Sequence, residues 1–155
     1  GPIGHLSTRV IHYWGHEVTI LDSNEKRLTY LNDLSVEPKT EISDFLQFSY
    51  IIECTGNAES AKIMLKNSAT ASTMLMLGLP YDKQIVDLED IVSSDKRIVG
   101  TVGSNGKNFS DAIKLAPKLN LKNFDQCLFD FGQWESAWEE HKSKNQLKVK
   151  LKIGP

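Results

Sequence analysis

Gly1 and Gly4 stand three residues apart, and eighteen residues after Gly4 comes Asp22, at the end of the apolar-rich run Val18-Thr19-Ile20-Leu21. That spacing matches the second half of the G-x-G-x-x-G pattern that holds dinucleotides. Its middle glycine lets backbone approach a pyrophosphate, its last lets the following helix pack on its strand, and an acid about 20 positions on takes the ribose hydroxyls. Gly1 and Gly4 read as the middle and last glycines. The first glycine and the strand that should precede it are not in the sequence, so the chain reads as a piece of a longer nucleotide-dependent enzyme. The Asp22 carboxylate can accept hydrogen bonds from both ribose hydroxyls and repels the phosphate that distinguishes NADP. Arg27 reads equally as a group stacked near the adenine or as a solvated charge.

Three further segments carry chemistry of the same kind: Thr55-Gly56, Gly78-Leu79-Pro80 and Thr101-Val102-Gly103 each close an apolar run. In an open α/β sheet ligands bind beyond the carboxyl ends of the strands, where small residues let backbone groups reach a flat amide such as nicotinamide. Gly15-His16-Glu17 invites a metal reading, but it falls in the turn that leads into the second strand, away from the nucleotide crevice. His5, His12 and His141 have no cysteine or carboxylate at ligand spacing and read as structural. No metal site, and no catalytic acid or base, assembles from these residues.

The elements that must position these groups alternate. Ile3, Leu6, Val10, Ile11 and Trp14 recur at helical spacing as one buried face, and Gly15 can end that helix. Residues 17–22 read as a strand, and Ser23 or Asn24 as the cap of a short helix through about Leu31. Strands are expected at 49–54, 72–79 and 97–102, with a helix carrying Ala61, Met64 and Leu65 after Asn57. Ser104 or Asn108 is expected to begin a helix that Pro117 stops. In the tail, 127–130 reads as a strand, Phe131, Trp134, Ala137, Trp138 and His141 as one helical face, and Leu147, Val149, Leu151 and Ile153 alternate with lysines as an edge strand does. The expected fold is α/β, a Rossmann-like doubly wound parallel sheet lacking its first strand, with a C-terminal strand-helix-strand tail. Residues 1–105 form the dinucleotide-binding domain, incomplete at its start, and 106–155 a tail that packs on the absent catalytic domain.

Composition excludes several classes. The 155 residues hold 40% hydrophobic and 25% charged side chains, as a globular chain does, and the net charge of −2 gives no electrostatic reason to bind nucleic acid or an acidic membrane. No apolar run approaches the ~20 residues of a membrane span. Two cysteines far apart in sequence, Cys54 and Cys127, suit free thiols and a cytoplasmic chain.

Read in order, Gly-Pro-Ile-Gly, Tyr13-Trp-Gly-His-Glu-Val18, Ile52-Glu-Cys-Thr-Gly56, Leu77-Gly-Leu-Pro80 and Val99-Gly-Thr-Val-Gly-Ser104 leading to Phe109 resemble the cofactor half of the medium-chain zinc alcohol dehydrogenase superfamily. Within it the chain is most similar to archaeal-type glucose dehydrogenases. The resemblance implies that Gly1, Pro2, Ile3 and Gly4 meet the pyrophosphate and that Asp22, Ser23 and Asn24 face the adenosine ribose, with Arg27 nearby. It implies that Thr55, Leu77, Gly78, Leu79, Thr101, Val102 and Gly103 line the nicotinamide, and that Lys142, near the last hairpin, approaches the cofactor. Asp22-Ser23 replaces the Asn-Arg pair that holds a 2′-phosphate in the sugar enzymes, and Gly103 replaces an Asn near nicotinamide and sugar.

The implied function is hydride transfer from a sugar or other alcohol to NAD, with NADP possible, and with zinc held in the absent catalytic domain of a homo-oligomer. This chain alone is expected to be inactive. A zinc-independent quinone-reductase-like enzyme and a non-catalytic nucleotide-binding module remain open alternatives at this point.

Overall fold

The computed structural model describes residues 1–41, 48–81 and 86–154. Helix α1 (Pro2–Tyr13) leads to β1 (Thr19–Leu21), α2 (Glu25–Leu28), a 3-10 turn (Thr29–Leu31) and β2 (Glu37–Lys39). Then follow β3 (Tyr50–Glu53), α3 (Ala58–Lys66), β4 (Thr73–Met76), α4 (Leu88–Ser93) and β5 (Arg97–Gly100). The chain ends with α5 (Gly106–Leu115), β6 (Cys127–Asp130), α6 (Trp134–Ser143) and β7 (Val149–Lys152). This is the α/β, Rossmann-like fold expected, with every strand pair parallel: β1 with β2, β3 with β4 with β5, and β6 with β7. Among the described residues β1 and β3 each keep one edge without a strand partner.

Two compact units emerge, Gly1–Glu41 together with Asn105–Pro155, and Ile42–Ser104. In the first, Ile20, Leu28 and Leu31 form a buried apolar cluster with Leu34 and Val36 against it. In the second, Leu65 and Met74 are buried beside the polar Ser68, Ser72, Glu53 and Lys96.

Short polar side chains start most helices, because an Asn or Asp oxygen satisfies a first-turn N–H that lacks an intrahelical acceptor. Asn24 accepts from the Arg27 N–H, Asn57 from Ser60, Asp87 from Glu89 and Asp90, and Asn105 from Asn108. The cap of α5 is therefore Asn105, between the two candidates the sequence offered. Pro117 closes that helix within a 3-10 turn, Ala116–Lys118.

Several expectations change. The buried face of α1 is His5, Thr8 and Arg9, not the apolar stripe, and Ile3 and Trp14 are exposed. The polar face goes inward because Arg9 finds acceptors there and the Thr8 hydroxyl bonds the Gly4 carbonyl at 2.9 Å. Strands β4 and β5 stop earlier than predicted, so that residues 77–79 and 101–103 are turns. Strand β2 was not foreseen, since its Glu-Pro-Lys sequence carries a proline; Pro38 fits because β2 lies at the edge of its ladder. Helix α4 was also missed. The tail contains no hairpin: β6 and β7 are parallel partners joined through α6, and the burial expected along β7 fades from Leu147 to an exposed Ile153. Phe131, Trp134 and Trp138 are likewise exposed, and only Ala137 of that face is buried.

Lys96 closes the second unit. Its ammonium is buried and donates to the Leu65 carbonyl at 2.8 Å, the Lys66 carbonyl at 3.3 Å and the Asp90 carboxylate at 3.0 Å. Replacing it by Met leaves two carbonyls and a carboxylate without their cation, so Lys96→Met should lower the unfolding free energy by about 2–4 kcal/mol. Lys107→Met, which breaks an exposed pair with Asp111, should change it by less than about 1 kcal/mol. Urea denaturation of both variants checks the contrast.

Candidate functional site

Helix α1 starts directly after Gly1 with proline in its first turn, no side-chain cap and no acid among its first residues. Proline at that position gives up an N–H that would lack a helical partner, and the remaining amides and the helix dipole favour an anion there. Strand β1 carries Asp22 to the same place: the Asp22 carboxylate lies 2.6 Å from the Gly1 nitrogen. Gly1 stands at the N-cap of α1, and Pro2, Ile3 and Gly4 form its first turn, beside Asp22.

The loop after β1 is organised around that carboxylate. Its other oxygen accepts the Asn24 N–H at 3.0 Å, which turns the chain so that Asn24 can cap α2. Burial acts to raise the Asp22 carboxyl, while the Asn24 N–H and the nearby Arg27 act to lower it. The Arg27 guanidinium reaches back over the glycine turn, 3.5 Å from where a Cβ on Gly1 would stand, and its Nε is buried without a partner among the described residues. Arg27 is thus half-buried against the glycine turn rather than free in solvent. Ser23 is exposed at the rim of the loop.

Lys142 is not among the contacts of this cluster. It pairs with Glu139 at 2.6 Å on the exposed side of α6. The tail instead reaches the loop through backbone: Asn24 donates its side-chain N–H to the Lys144 carbonyl at 3.1 Å, where Lys144 takes the left-handed conformation that ends α6. A carbonyl acting across the fold leaves no mark on side-chain type, so the sequence carried no signal for it.

In the second unit, Glu53, Met76 and Gly100 are in register at the carboxyl ends of β3, β4 and β5. Thr55, Leu77–Gly78–Leu79 and Thr101–Val102–Gly103 follow those ends at once. Leu79 and Val102 are exposed, at 60% and 89%. The first two turns are packed through glycine: a Cβ on Gly78 would lie 2.1 Å from the Gly56 nitrogen, and one on Gly56, itself at φ +68°, 2.8 Å from the Leu79 carbonyl oxygen. Sequence reasoning passed over Glu53, which is almost fully buried beneath them. Its signal was an acid ending an otherwise uncharged strand, Tyr50-Ile-Ile-Glu53.

No group of three or more His, Cys, Asp or Glu among the described residues is placed to hold a metal ion, so these residues do not fit zinc. His16 is exposed after Gly15, which has φ +85°. No described helix is long and apolar enough to cross a membrane.

A family model for zinc-binding dehydrogenases matches residues 2–118. The chain belongs to the zinc-binding dehydrogenase family. It is 25% identical to an L-threonine 3-dehydrogenase of Streptomyces avermitilis in an alignment covering 97% of this chain and 48% of that protein. Its fold is that of solved dehydrogenases. The Haloferax mediterranei glucose dehydrogenase, in complex with NADP, Zn and gluconolactone, matches 100% of this chain with 49% of its own, with a TM-score of 0.76 at 19% identity. The acetophenone reductase of Geotrichum candidum, in complex with NAD, matches 99% of this chain with 46% of its own, with a TM-score of 0.81 at 15% identity. This zinc-binding dehydrogenase chain therefore spans about half the length of these relatives.

One buried group beside the glycine turn titrates far from its ordinary value. His5 is wholly enclosed, and neither ring nitrogen has a partner among the described residues. Burial lowers its pKa below the ordinary histidine range, with Arg9 and Arg27 adding to the shift and Asp22 opposing it. The folded chain keeps His5 neutral where the unfolded chain binds a proton. The neutral form's contribution is fully present above pH ~6.5 and is lost as pH falls below it. His5→Phe should remove that part of the acid-induced loss, measured as denaturation midpoints between pH 7 and 4.

Proposed function

We propose that this chain is the cofactor-binding part of an NAD-dependent alcohol or sugar dehydrogenase. The observation that carries the reading is the Asp22 carboxylate held at the glycine turn, next to the uncapped start of α1. In this reading the first-turn amides of Ile3 and Gly4 bind the pyrophosphate, with Pro2 fixing the turn, and Asp22, Ser23 and Asn24 accept and donate to the adenosine ribose. Thr55, Leu77, Gly78, Leu79, Thr101, Val102 and Gly103 receive the nicotinamide, and the exposed Leu79 and Val102 side chains shield one of its faces from water.

Bound there, nicotinamide supplies the acceptor for a hydride from the alcohol carbon. The chain's own residues bind and orient: the turns after β3, β4 and β5 offer backbone groups to a carboxamide, and the apolar side chains exclude solvent from the reacting face. No residue of this chain is assigned proton transfer or zinc ligation. Zinc, the substrate-binding residues and the proton relay are assigned to the rest of the protein. By itself the chain binds NAD without oxidising an alcohol. The relatives' names support an alcohol or sugar substrate, and a cytoplasmic homo-oligomer completes the proposal.

Arg27 supports a second cofactor reading. Its guanidinium beside Asp22 offers a cation to a 2′-phosphate, as would suit NADP. Titration of the whole protein with both cofactors decides between them. Asp22 should make NAD the tighter ligand, and Asp22→Ala should move the NAD-to-NADP affinity ratio toward NADP by about tenfold to a hundredfold. A ratio unmoved by Asp22→Ala would sink the assignment of Asp22, and wild-type preference for NADP would pass the role to Arg27.

A further inference from the structure

The acid that ends β3 serves two turns at once. Glu53 is 1% exposed and makes no ion pair among the described residues. Its Oε1 accepts the Thr55 N–H at 2.6 Å and the Thr55 hydroxyl, and Oε1 and Oε2 share the Gly56 N–H at 3.2 Å each. Its own carbonyl accepts the N–H groups of Leu77 at 2.8 Å and Gly78 at 3.0 Å. The side chain therefore holds the turn after β3, and the backbone holds the turn after β4. The fit between them is tight, since a Cβ on Gly78 would stand 2.3 Å from Glu53 Oε2.

We propose that Glu53 is a positioning residue for the redox end of the cofactor, fixing the Thr55-Gly56 turn against the Leu77-Gly78-Leu79 turn without touching the ligand. The role rests on the reading above, which puts nicotinamide at these turns. Glu53 lies beneath them and acts through Thr55, Gly56 and Gly78. Its chemistry suits the task, because every side-chain partner is a donor and an ionised carboxylate only accepts. A glutamine there turns one acceptor into an NH2 group. With its oxygen kept toward Thr55, that NH2 faces the Gly56 N–H, donor against donor, in a turn already packed closely against Gly78. Small displacements of groups that orient a reacting ring are expensive in rate and binding, whereas the adenosine end, built on Gly1 and Asp22, is made of other residues.

The test separates the two ends of the ligand in the whole protein. ADP-ribose probes the adenosine and pyrophosphate contacts, and NAD adds the nicotinamide. Glu53→Gln should raise the Kd for NAD about tenfold and lower kcat, while the Kd for ADP-ribose stays within about twofold of wild type. Unchanged NAD affinity and kcat would overturn the proposal, and so would an equal loss for both ligands, which marks general damage to the fold. If the glutamine variant does not fold, Glu53→Asp, with the same charge and a shorter reach, is read by the same pair of titrations and the same criteria. Wild-type protein that binds neither ligand would show that the cofactor reading itself is at fault, and the positioning role would fall with it.

Discussion

The buried guanidinium of Arg9 is the interaction on which the first unit depends. It forms a two-pronged pair with Asp33, at 2.8 and 2.9 Å, and a further bond to the Tyr30 carbonyl at 2.9 Å. A buried cation is costly unless its donors are met, and here only Nε lacks a partner among the described residues. The Arg9 hydrogen bond holds the Asp33 carboxyl below its ordinary range. The tail grips the same turn from its other side: Asn120 donates to Asp33 and Asn123 to the Tyr30 carbonyl, both at 2.7 Å, and the Tyr30 hydroxyl donates to Gln146. The pose of α1, and with it the approach of Gly1 to Asp22, is set by this knot of polar groups more than by apolar packing.

The second unit solves its charge problem differently. Around α3, Glu53 gathers the N–H groups just before the helix, and Lys96 gathers the carbonyls of Leu65 and Lys66 at its end. Negative charge at the start and positive charge at the finish is the arrangement that the helix dipole favours. The same two residues flank the three-stranded ladder, with Glu53 closing β3 and Lys96 directly preceding β5. Each is an ionisable group in an enclosed setting, and each is met by several backbone partners, which makes its burial tolerable.

What the sequence revealed follows from range. Spacing and capping are local, so Asn24, Asn57, the existence of most strands and the Gly4-to-Asp22 interval were readable, although β4 and β5 end before Gly78 and Thr101 rather than running through them. Partners remote in sequence were not readable. Nothing in the sequence marked Arg9 for burial, because its acceptors come 21 and 24 residues later, and the buried face of α1 was assigned to the apolar stripe. Pro38 hid β2 because its missing N–H is harmless only at an edge. Lys142 was named through the family resemblance, and the Asn24 contact with the Lys144 carbonyl had no sequence signal at all.

The split of the chain has a bearing on how it is made. Residues 42–104 are one continuous stretch, and the bonds that close it, such as Lys96 to Leu65, join groups 31 positions apart. The other unit is discontinuous: Tyr30 to Gln146 and Asn24 to Lys144 span 116 and 120 positions. At about 5–20 residues per second on the ribosome, its early half waits several seconds or more for its late half. Through that interval α1 is held by the Arg9 bonds to Tyr30 and Asp33 and by the cluster of Ile20, Leu28 and Leu31, without the bonds that Asn120, Asn123 and Gln146 add from the tail. The residues that assemble the glycine turn are thus synthesised before most of the unit that holds them, and the tail bonds complete that hold last.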